Sequence, residues 1–113
     1  MPKNKYKIEY LPIADRDLAE IFTYIAIDLA APQAAVNLLE KIDRSIKLLE
    51  TFPYAHSVYQ PISLQSQAIP FEFRSLIVNS YIIYYYITEN IVTIARIVCS
   101  RRDIQDVFND WLY

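Results

Sequence analysis

The fold of this chain is decided by the stretch from Arg74 to Asp103, which reads RSLIVNSYIIYYYITENIVTIARIVCSRRD. Three runs of β-branched and aromatic residues are separated by short polar breaks at Asn79-Ser80 and at Thr88-Glu89-Asn90. Such runs are typical of β-strands, and polar breaks of this length are typical of tight hairpins. The stretch therefore predicts a three-stranded antiparallel meander.

The register of this meander decides where its arginines lie. If Asn79-Ser80 forms a two-residue turn, Arg74 lies opposite Tyr85 across the first hairpin. The partner of Arg96 depends on the length of the second turn. A four-residue turn sets Arg96 opposite Ile83, on the face that carries the first pair, whereas a three-residue turn moves Arg96 to the other face. The sequence leaves both arrangements open.

The segments before the meander predict one strand and two helices. Residues 5–11 alternate between apolar and charged side chains, which is typical of a half-buried strand at a sheet edge. From residue 13 to about residue 29, and again from 33 to 51, apolar side chains recur at helical spacing. Pro12 and Pro32 suit the first turns of these helices. The apolar stripe of the first helix comprises Ala14, Leu18, Ile21, Phe22, Ile25 and Leu29.

Together these elements predict an α+β domain, in which an antiparallel sheet of the N-terminal strand and the meander packs on a helical hairpin. Residues 53–71 are rich in proline, serine and glutamine and predict a loop. Residues 104–113 predict a short C-terminal helix or tail, because apolar side chains recur there at helical spacing. We expect residues 1–113 to form a single domain, since a chain of this length supports one core.

Composition narrows the functional classes. The formal net charge is −2, which is unfavourable for a protein that docks on bare nucleic acid. Glycine is absent, which excludes glycine-rich phosphate loops and leaves turns of positive φ to Asn, Asp or Ser. No signal region and no apolar run near the ~20 residues of a membrane span are visible. We therefore expect a cytoplasmic protein that does not contact the membrane.

Several segments, in this order, resemble a known family. They are Ile13 to Ile21, Tyr24-Ile25, Leu48 to Pro53, Phe73 to Val78, Ser80 to Tyr85 and Arg96 to Asp103. The set resembles the RelE/ParE superfamily of toxins from bacterial type II toxin–antitoxin modules, over roughly residues 6–104. The resemblance implies a growth-inhibiting toxin of a plasmid- or replicon-stabilising module, neutralised by a cognate antitoxin. It also implies a hetero-oligomer with that antitoxin, with a homodimer as an alternative for the free toxin.

Position 82 distinguishes two branches of this superfamily. RelE-like members cut mRNA on the ribosome and tend to carry an arginine where this chain has Ile82. ParE-like members bind DNA gyrase and have no known hydrolytic site. Isoleucine cannot neutralise a phosphate, and charge stabilisation is the main contribution of such a nuclease site. The sequence thus favours a ParE-like gyrase inhibitor that is not a hydrolytic enzyme. The alternatives are a RelE-like ribosome-dependent mRNA endoribonuclease and a decayed toxin that survives as a binding module.

The candidate site residues are Arg74, Tyr85, Arg96, Arg101 and Arg102 in both branches. In a gyrase inhibitor they would contact the target or the antitoxin, the arginines through bidentate hydrogen bonds. In a nuclease the arginines would hold phosphate and a tyrosine would stack a base. The alternative for Arg74 and Arg96 is pairing with helix carboxylates or with the antitoxin. For Arg101 and Arg102 it is a solvated strand end with a local ion pair.

The other reactive side chains predict no further site. His56 is the only histidine and has no second histidine or suitably spaced cysteine beside it, so we expect no metal and no cofactor. Cys99 is the only cysteine, which allows no internal disulfide, and we expect it to pack as a small side chain. We expect most tyrosines of the meander in the core and the carboxylates of the first helix on a solvated face.

Overall fold

A computed structural model gives the fold and describes residues 5–59 and 72–100. In chain order the elements are β1 (Lys7–Tyr10), α1 (Pro12–Thr23), α2 (Pro32–Lys47), β2 (Val58–Tyr59), β3 (Phe73–Val78), β4 (Tyr81–Thr88) and β5 (Ile91–Cys99). A π-helical turn, Tyr24–Asp28, extends α1, and a 3₁₀ turn, Leu48–Glu50, extends α2. The predicted α+β class, N-terminal strand, helices and meander are thus confirmed. The predicted C-terminal helix and the part of the predicted loop beyond Tyr59 lie outside the described residues.

Both helices begin at a proline. Pro12 follows an extended residue, and Pro32 follows the turn between the helices. Proline suits this position because its φ is already helical and its missing N–H would have no partner in the first turn. Among the described residues, no helix is long and apolar enough to cross a membrane.

The five strands form one sheet in the order β1-β5-β4-β3-β2. The meander is antiparallel, and its first hairpin has the predicted register, with Arg74 opposite Tyr85. One detail of the prediction was wrong, because β1 runs parallel to β5 and the sheet is therefore mixed. A parallel pair needs a long connection, and here the two helices and then strands β2, β3 and β4 lie between β1 and β5. Val58–Tyr59 adds a short strand at the edge of β3, within the predicted loop.

The helical hairpin packs on one face of the sheet, called here the helix face. The hydrophobic core lies between the helices and this face. Its residues come from the helical hairpin and from β3, β4 and β5. They are Ala14, Leu38, Ile42, Ile46, Leu49, Leu76, Val78, Ile83, Tyr85, Val92, Ile94 and Ile97. Because successive residues of a strand point to opposite faces, Ile82, Tyr84 and Arg96 lie on the other side, called here the second face.

A β-bulge decides on which face Arg96 lies. The second turn holds only Glu89-Asn90. A two-residue turn gives the same register as a four-residue turn, so by itself it would set Arg96 opposite Ile83 on the helix face. A bulge at Ala95 shifts the register by one residue, so Arg96 pairs with Tyr84 on the second face. The sequence left two arrangements open. The one that places Arg96 on the same face as Arg74 and Tyr85 is therefore wrong.

The end of the first helix departs from the regular apolar stripe. In the π-helical turn the Leu29 N–H donates to the carbonyl of Tyr24 at 3.0 Å, which closes a wider ring than an α-helix does. Leu29 is consequently 55% exposed, although the sequence placed it in the stripe. Positive φ occurs at Ala30, Asn79 and Glu89. Only Asn79 is of a residue type expected there, because the chain has no glycine to supply this conformation.

Candidate functional site

Arg96 and Asp17 form a buried ion pair between β5 and α1. The guanidinium donates from Nε to Oδ2 of Asp17 at 2.8 Å and from Nη2 to Oδ1 at 3.1 Å. The two side chains are only 5% and 8% exposed. Paired hydrogen bonds of this kind hold an arginine in one geometry. Arg96 therefore joins the sheet to the first helix, which confirms the alternative that it pairs with a helix carboxylate.

The same carboxylate also completes the edge of β5. β1 covers only the first half of β5, up to Ile94. Beyond it, the Ile97 N–H donates to Oδ2 of Asp17 at 2.9 Å, where a further strand would otherwise supply the acceptor. The prediction of a solvated carboxylate face was therefore wrong for Asp17. Its role depends on Arg96, which lies 79 residues away in sequence.

Arg74 lies in a more open environment on the helix face, next to β2. Its Nη1 donates to the backbone carbonyl of His56 at 2.7 Å, and its guanidinium carbon lies 5.0 Å from the ring centre of Tyr54. The ion pair with Glu72 is long, at 3.5 Å, and the Glu72 side chain is 58% exposed. Exposed ion pairs and cation–π contacts each contribute little free energy. A binding partner could therefore replace these contacts.

Tyr85 supports the surroundings of Arg74 from the core. It is fully buried, and its hydroxyl donates to the carbonyl of Pro53 at 2.8 Å. The ring of His56 meets the Tyr85 ring edge to face, with 6.5 Å between ring centres. Burial raises the pKa of Tyr85 to about 12, against the opposing effect of Arg74. Tyr85 therefore stays protonated at neutral pH and anchors the segment that carries Pro53 and His56.

The second face is apolar around Ile82. This half-buried side chain lies between Ile77 of β3 and Val98 of β5, and Ile77 is 68% exposed. The next residue of β4 on this face is Tyr84, which pairs with Arg96. Among the described residues of β3, β4 and β5, Arg96 is the one cation on this face, and Asp17 already neutralises it. These strands therefore present no unneutralised charge to a phosphate beside Ile82.

The structure brings together only part of the predicted site. Arg74 and Tyr85 are neighbours on the helix face, whereas Arg96 lies on the second face. Arg101 and Arg102 lie outside the described residues, so the five-residue site stays a prediction. In residues 5–59 and 72–100, no group of three or more His, Cys, Asp or Glu side chains could hold a metal ion.

Sequence reasoning missed two residues of this region. Asp17 lies three residues after Ala14 and four before Ile21, within the apolar stripe of α1, and an acid in such a stripe indicates a buried partner. Tyr54 gives no comparable signal, because its position above Arg74 depends on how the chain turns after Pro53. The tertiary arrangement alone places it there.

Comparisons with known proteins define the class of this chain. A sequence model described as the ParE toxin of the type II toxin–antitoxin system parDE matches residues 8–104. Because the match covers most of the chain, the chain belongs to the ParE toxin family, within the RelE/ParE superfamily. The predicted family and branch are thus confirmed.

The fold is also similar to that of a solved structure. That structure is a chain of the chromosomal ParDE toxin–antitoxin system from P. aeruginosa, with a TM-score of 0.66 and 17% sequence identity. The similarity covers 86% of this chain and 98% of that chain. At this identity it shows a shared fold alone. No curated protein sequence matches the chain.

Proposed function

We propose that this chain is a growth-inhibiting toxin that binds DNA gyrase in the cytoplasm and that a cognate antitoxin neutralises it. Membership of the ParE family supports the toxin role, because the family consists of toxins of type II toxin–antitoxin systems. The choice of gyrase as target rests mainly on one observation, which is the apolar second face around Ile82.

A nuclease would need cationic side chains at that face. Removing one group that stabilises developing charge typically lowers a rate by about 10²–10³-fold. Ile82 supplies no such group, and the guanidinium of Arg96 is bound to Asp17 of α1 at the edge of β5. The net charge of −2 is also unfavourable for docking on ribosomal RNA. Inhibition by binding needs no phosphate pocket, so these features favour gyrase inhibition over RNA cleavage.

The antitoxin is proposed as the second partner. The similar structure belongs to a ParDE toxin–antitoxin system, and similarity to it supports a hetero-oligomer of this chain with an antitoxin. A small open reading frame that overlaps the gene would support the same arrangement.

The five predicted site residues are proposed to act in two ways. Arg74 is proposed to contact gyrase or the antitoxin directly, because its side chain is 15% exposed and its described carboxylate partner, Glu72, is distant and exposed. Arg101 and Arg102 are proposed for direct contacts as well. Tyr85 and Arg96 are buried, and we propose that they hold the surroundings of Arg74 and of β5 in place.

The test is supercoiling of relaxed plasmid by purified gyrase at increasing toxin concentration. We expect supercoiling to fall at micromolar toxin and to recover when the antitoxin is added. Arg74→Ala should raise the required concentration several-fold. Arg16→Ala is the matched control, because Arg16 is an exposed arginine on α1 away from this region, and it should leave the inhibition unchanged.

Two results would contradict the proposal. Unaltered supercoiling at micromolar toxin would remove gyrase as the target. Codon-positioned breaks in mRNA after induction would establish the endoribonuclease alternative instead.

A further inference from the structure

Large apolar side chains are exposed at the tip of the helical hairpin, defined here as residues 24–31. Tyr24 is 51% exposed, Ile27 is 71% exposed and Leu29 is 55% exposed. A single exposed apolar residue is ordinary on a protein surface. Tyr24 and Leu29 also line one concave surface, and exposed apolar surfaces of this kind commonly mark binding sites.

Two concave surfaces meet at Tyr24 and Tyr81 beside the hairpin tip. One has a volume of about 470 Å³ and lies between the tip and the turn from β3 to β4, with Leu29 and Cys99 in its wall. The other has a volume of about 370 Å³ and lies between α1 and the ends of β4 and β5. Tyr24, Tyr81 and Cys99 line both, so the two surfaces are called here the tip groove. Each is large enough to take several side chains.

The charged side chains at the Tyr24 end of the tip groove are acidic, whereas at the other end the Lys41 ammonium donates to Oδ1 of Asn79, which lines the larger surface, at 2.7 Å. Glu20 lines the smaller concave surface of the groove, and Glu20 and Asp28 line a shallower one of about 250 Å³ beside Tyr24. Both carboxylates are exposed. None of the described residues that line these three surfaces is Lys or Arg. The Tyr24 end of the groove is therefore complementary to a partner that carries cations beside its own apolar side chains.

The backbone of the tip is strained but fixed. Ala30 has a φ of 53°, which is unfavourable for a residue with a Cβ atom. The Ala31 N–H donates to the carbonyl of Ile25 at 3.0 Å and closes the end of the helix. Strain of this kind, like a π-helical turn, is found disproportionately at functional sites. A fixed shape also lowers the entropy that binding must overcome.

We propose that the tip groove binds a cationic amphipathic segment of a partner protein, in which apolar side chains are flanked by Lys or Arg. The apolar side chains would fill the groove beside Tyr24 and Leu29. The cations would lie against Glu20 and Asp28. This inference goes beyond the gyrase proposal and does not rest on it, since it follows from the shape and charge of the groove.

The probes are two labelled synthetic peptides that share one helical pattern of leucines and differ only in their flanking residues, Lys in one and Glu in the other. Fluorescence anisotropy measures their binding to the whole protein. We expect the Lys peptide to bind at least tenfold more tightly than the Glu peptide, with an affinity that falls as salt is raised.

Matched substitutions locate the binding site. Leu29→Ser should weaken binding of the Lys peptide about tenfold, as loss of a central apolar anchor does. Leu48→Ser should leave it unchanged, because Leu48 is similarly exposed, at 62%, but lies at the other end of α2. Glu20→Gln should weaken binding a few-fold and Glu40→Gln, on the exposed side of α2, should not. Circular dichroism checks that each variant is folded.

Four results would overturn the inference. Equal binding of the two peptides would remove the charge argument. Equal loss in Leu29→Ser and Leu48→Ser would place the binding elsewhere, and no binding of the Lys peptide below about 1 mM would remove the site. Light scattering that shows a dimer of this chain, lost in Leu29→Ser, would identify a second copy as the occupant instead.

Discussion

Arg96 and Arg74 belong to the same sheet but differ in how their charge is held. Arg96 is buried and bound by both oxygens of Asp17, which also accepts the Ile97 N–H. Arg74 has a backbone carbonyl, an aromatic ring and a distant carboxylate as its described partners. A buried charge is tolerated only when its partners are built in, whereas a partly exposed charge can exchange them. Arg96 is therefore suited to holding the fold and Arg74 to binding.

Removing the counter-ion of Arg96 should have the largest effect. Asp17→Ala leaves a buried guanidinium without its carboxylate, and we expect a loss of about 3–5 kcal/mol in the free energy of unfolding. Asp15→Ala is the control, since Asp15 is an exposed acid on the same helix, and it should cost less than about 1 kcal/mol. Urea unfolding measures both. In the double variant with Arg96→Ala the loss should be smaller than the sum of the single losses. Equal losses for the two Asp variants would show that the ion pair does not hold the helix to the sheet.

On the Arg74 side, the strongest structural contact is the hydroxyl of Tyr85. Tyr85→Phe removes its hydrogen bond and leaves the buried carbonyl of Pro53 without this donor, so we expect a loss of about 1–2 kcal/mol at neutral pH. Tyr54→Phe should change stability by less than about 0.5 kcal/mol, because Tyr54 is exposed and keeps its ring against Arg74. Thermal unfolding of both variants tests this difference. A loss in Tyr54→Phe as large as in Tyr85→Phe would contradict it.

Alkaline pH should weaken the fold through two tyrosines. Burial raises the pKa of Tyr85 to about 12, and burial, with the nearby Asp43 and Asp15, raises that of Tyr10 to about 12. The folded state therefore holds these protons more tightly than the unfolded state, whose tyrosines titrate near 10.0. The resulting stabilisation is complete below pH 10 and is lost as the pH rises through about 12. Unfolding free energies over this range should fall less steeply in Tyr85→Phe and in Tyr10→Phe, and an unaltered slope in both would show that these protons are not linked to folding.

A substitution at the hairpin tip, away from both arginines, gives a change in unfolding free energy with which the other changes can be compared. Ala30→Gly relieves the positive φ of Ala30, and we expect a gain of about 1 kcal/mol in unfolding free energy. Ala34→Gly should instead lose about 1 kcal/mol, because Ala34 has helical geometry in α2. The two melting temperatures should therefore move in opposite directions. A loss in Ala30→Gly would show that the turn at the hairpin tip is not strained.

On the Arg74 side of the comparison, the loss of stability should be smaller than for Asp17→Ala. Arg74→Ala removes one charged hydrogen bond to a carbonyl, a long ion pair and a cation–π contact with an exposed ring, so we expect a loss of about 1–2 kcal/mol. Unfolding in urea measures it beside Asp17→Ala. A loss near that of Asp17→Ala would erase the difference between the two arginines and make Arg74 a structural residue.

Much of this fold follows from local sequence patterns. Asn79-Ser80 fixes the first hairpin and thus the pairing of Arg74 with Tyr85, as the structure confirms. The bulge at Ala95 could not be predicted in the same way, because no turn or apolar pattern marks it. The role of Asp17 joins residues 79 positions apart, and periodicity within one helix cannot show such a partner. The parallel direction of β1 likewise depends on how the helical hairpin returns the chain to the sheet.

The proposal of gyrase inhibition rather than RNA cleavage depends on the apolar second face. There Ile82 has apolar neighbours, and the guanidinium of Arg96 is already paired with Asp17. The most direct test maps the 5′ ends of cellular mRNA after the toxin is induced without its antitoxin. We predict that growth stops without new 5′ ends at fixed codon positions. New 5′ ends at fixed codon positions would contradict this interpretation, because they would require a phosphate-holding site on this toxin.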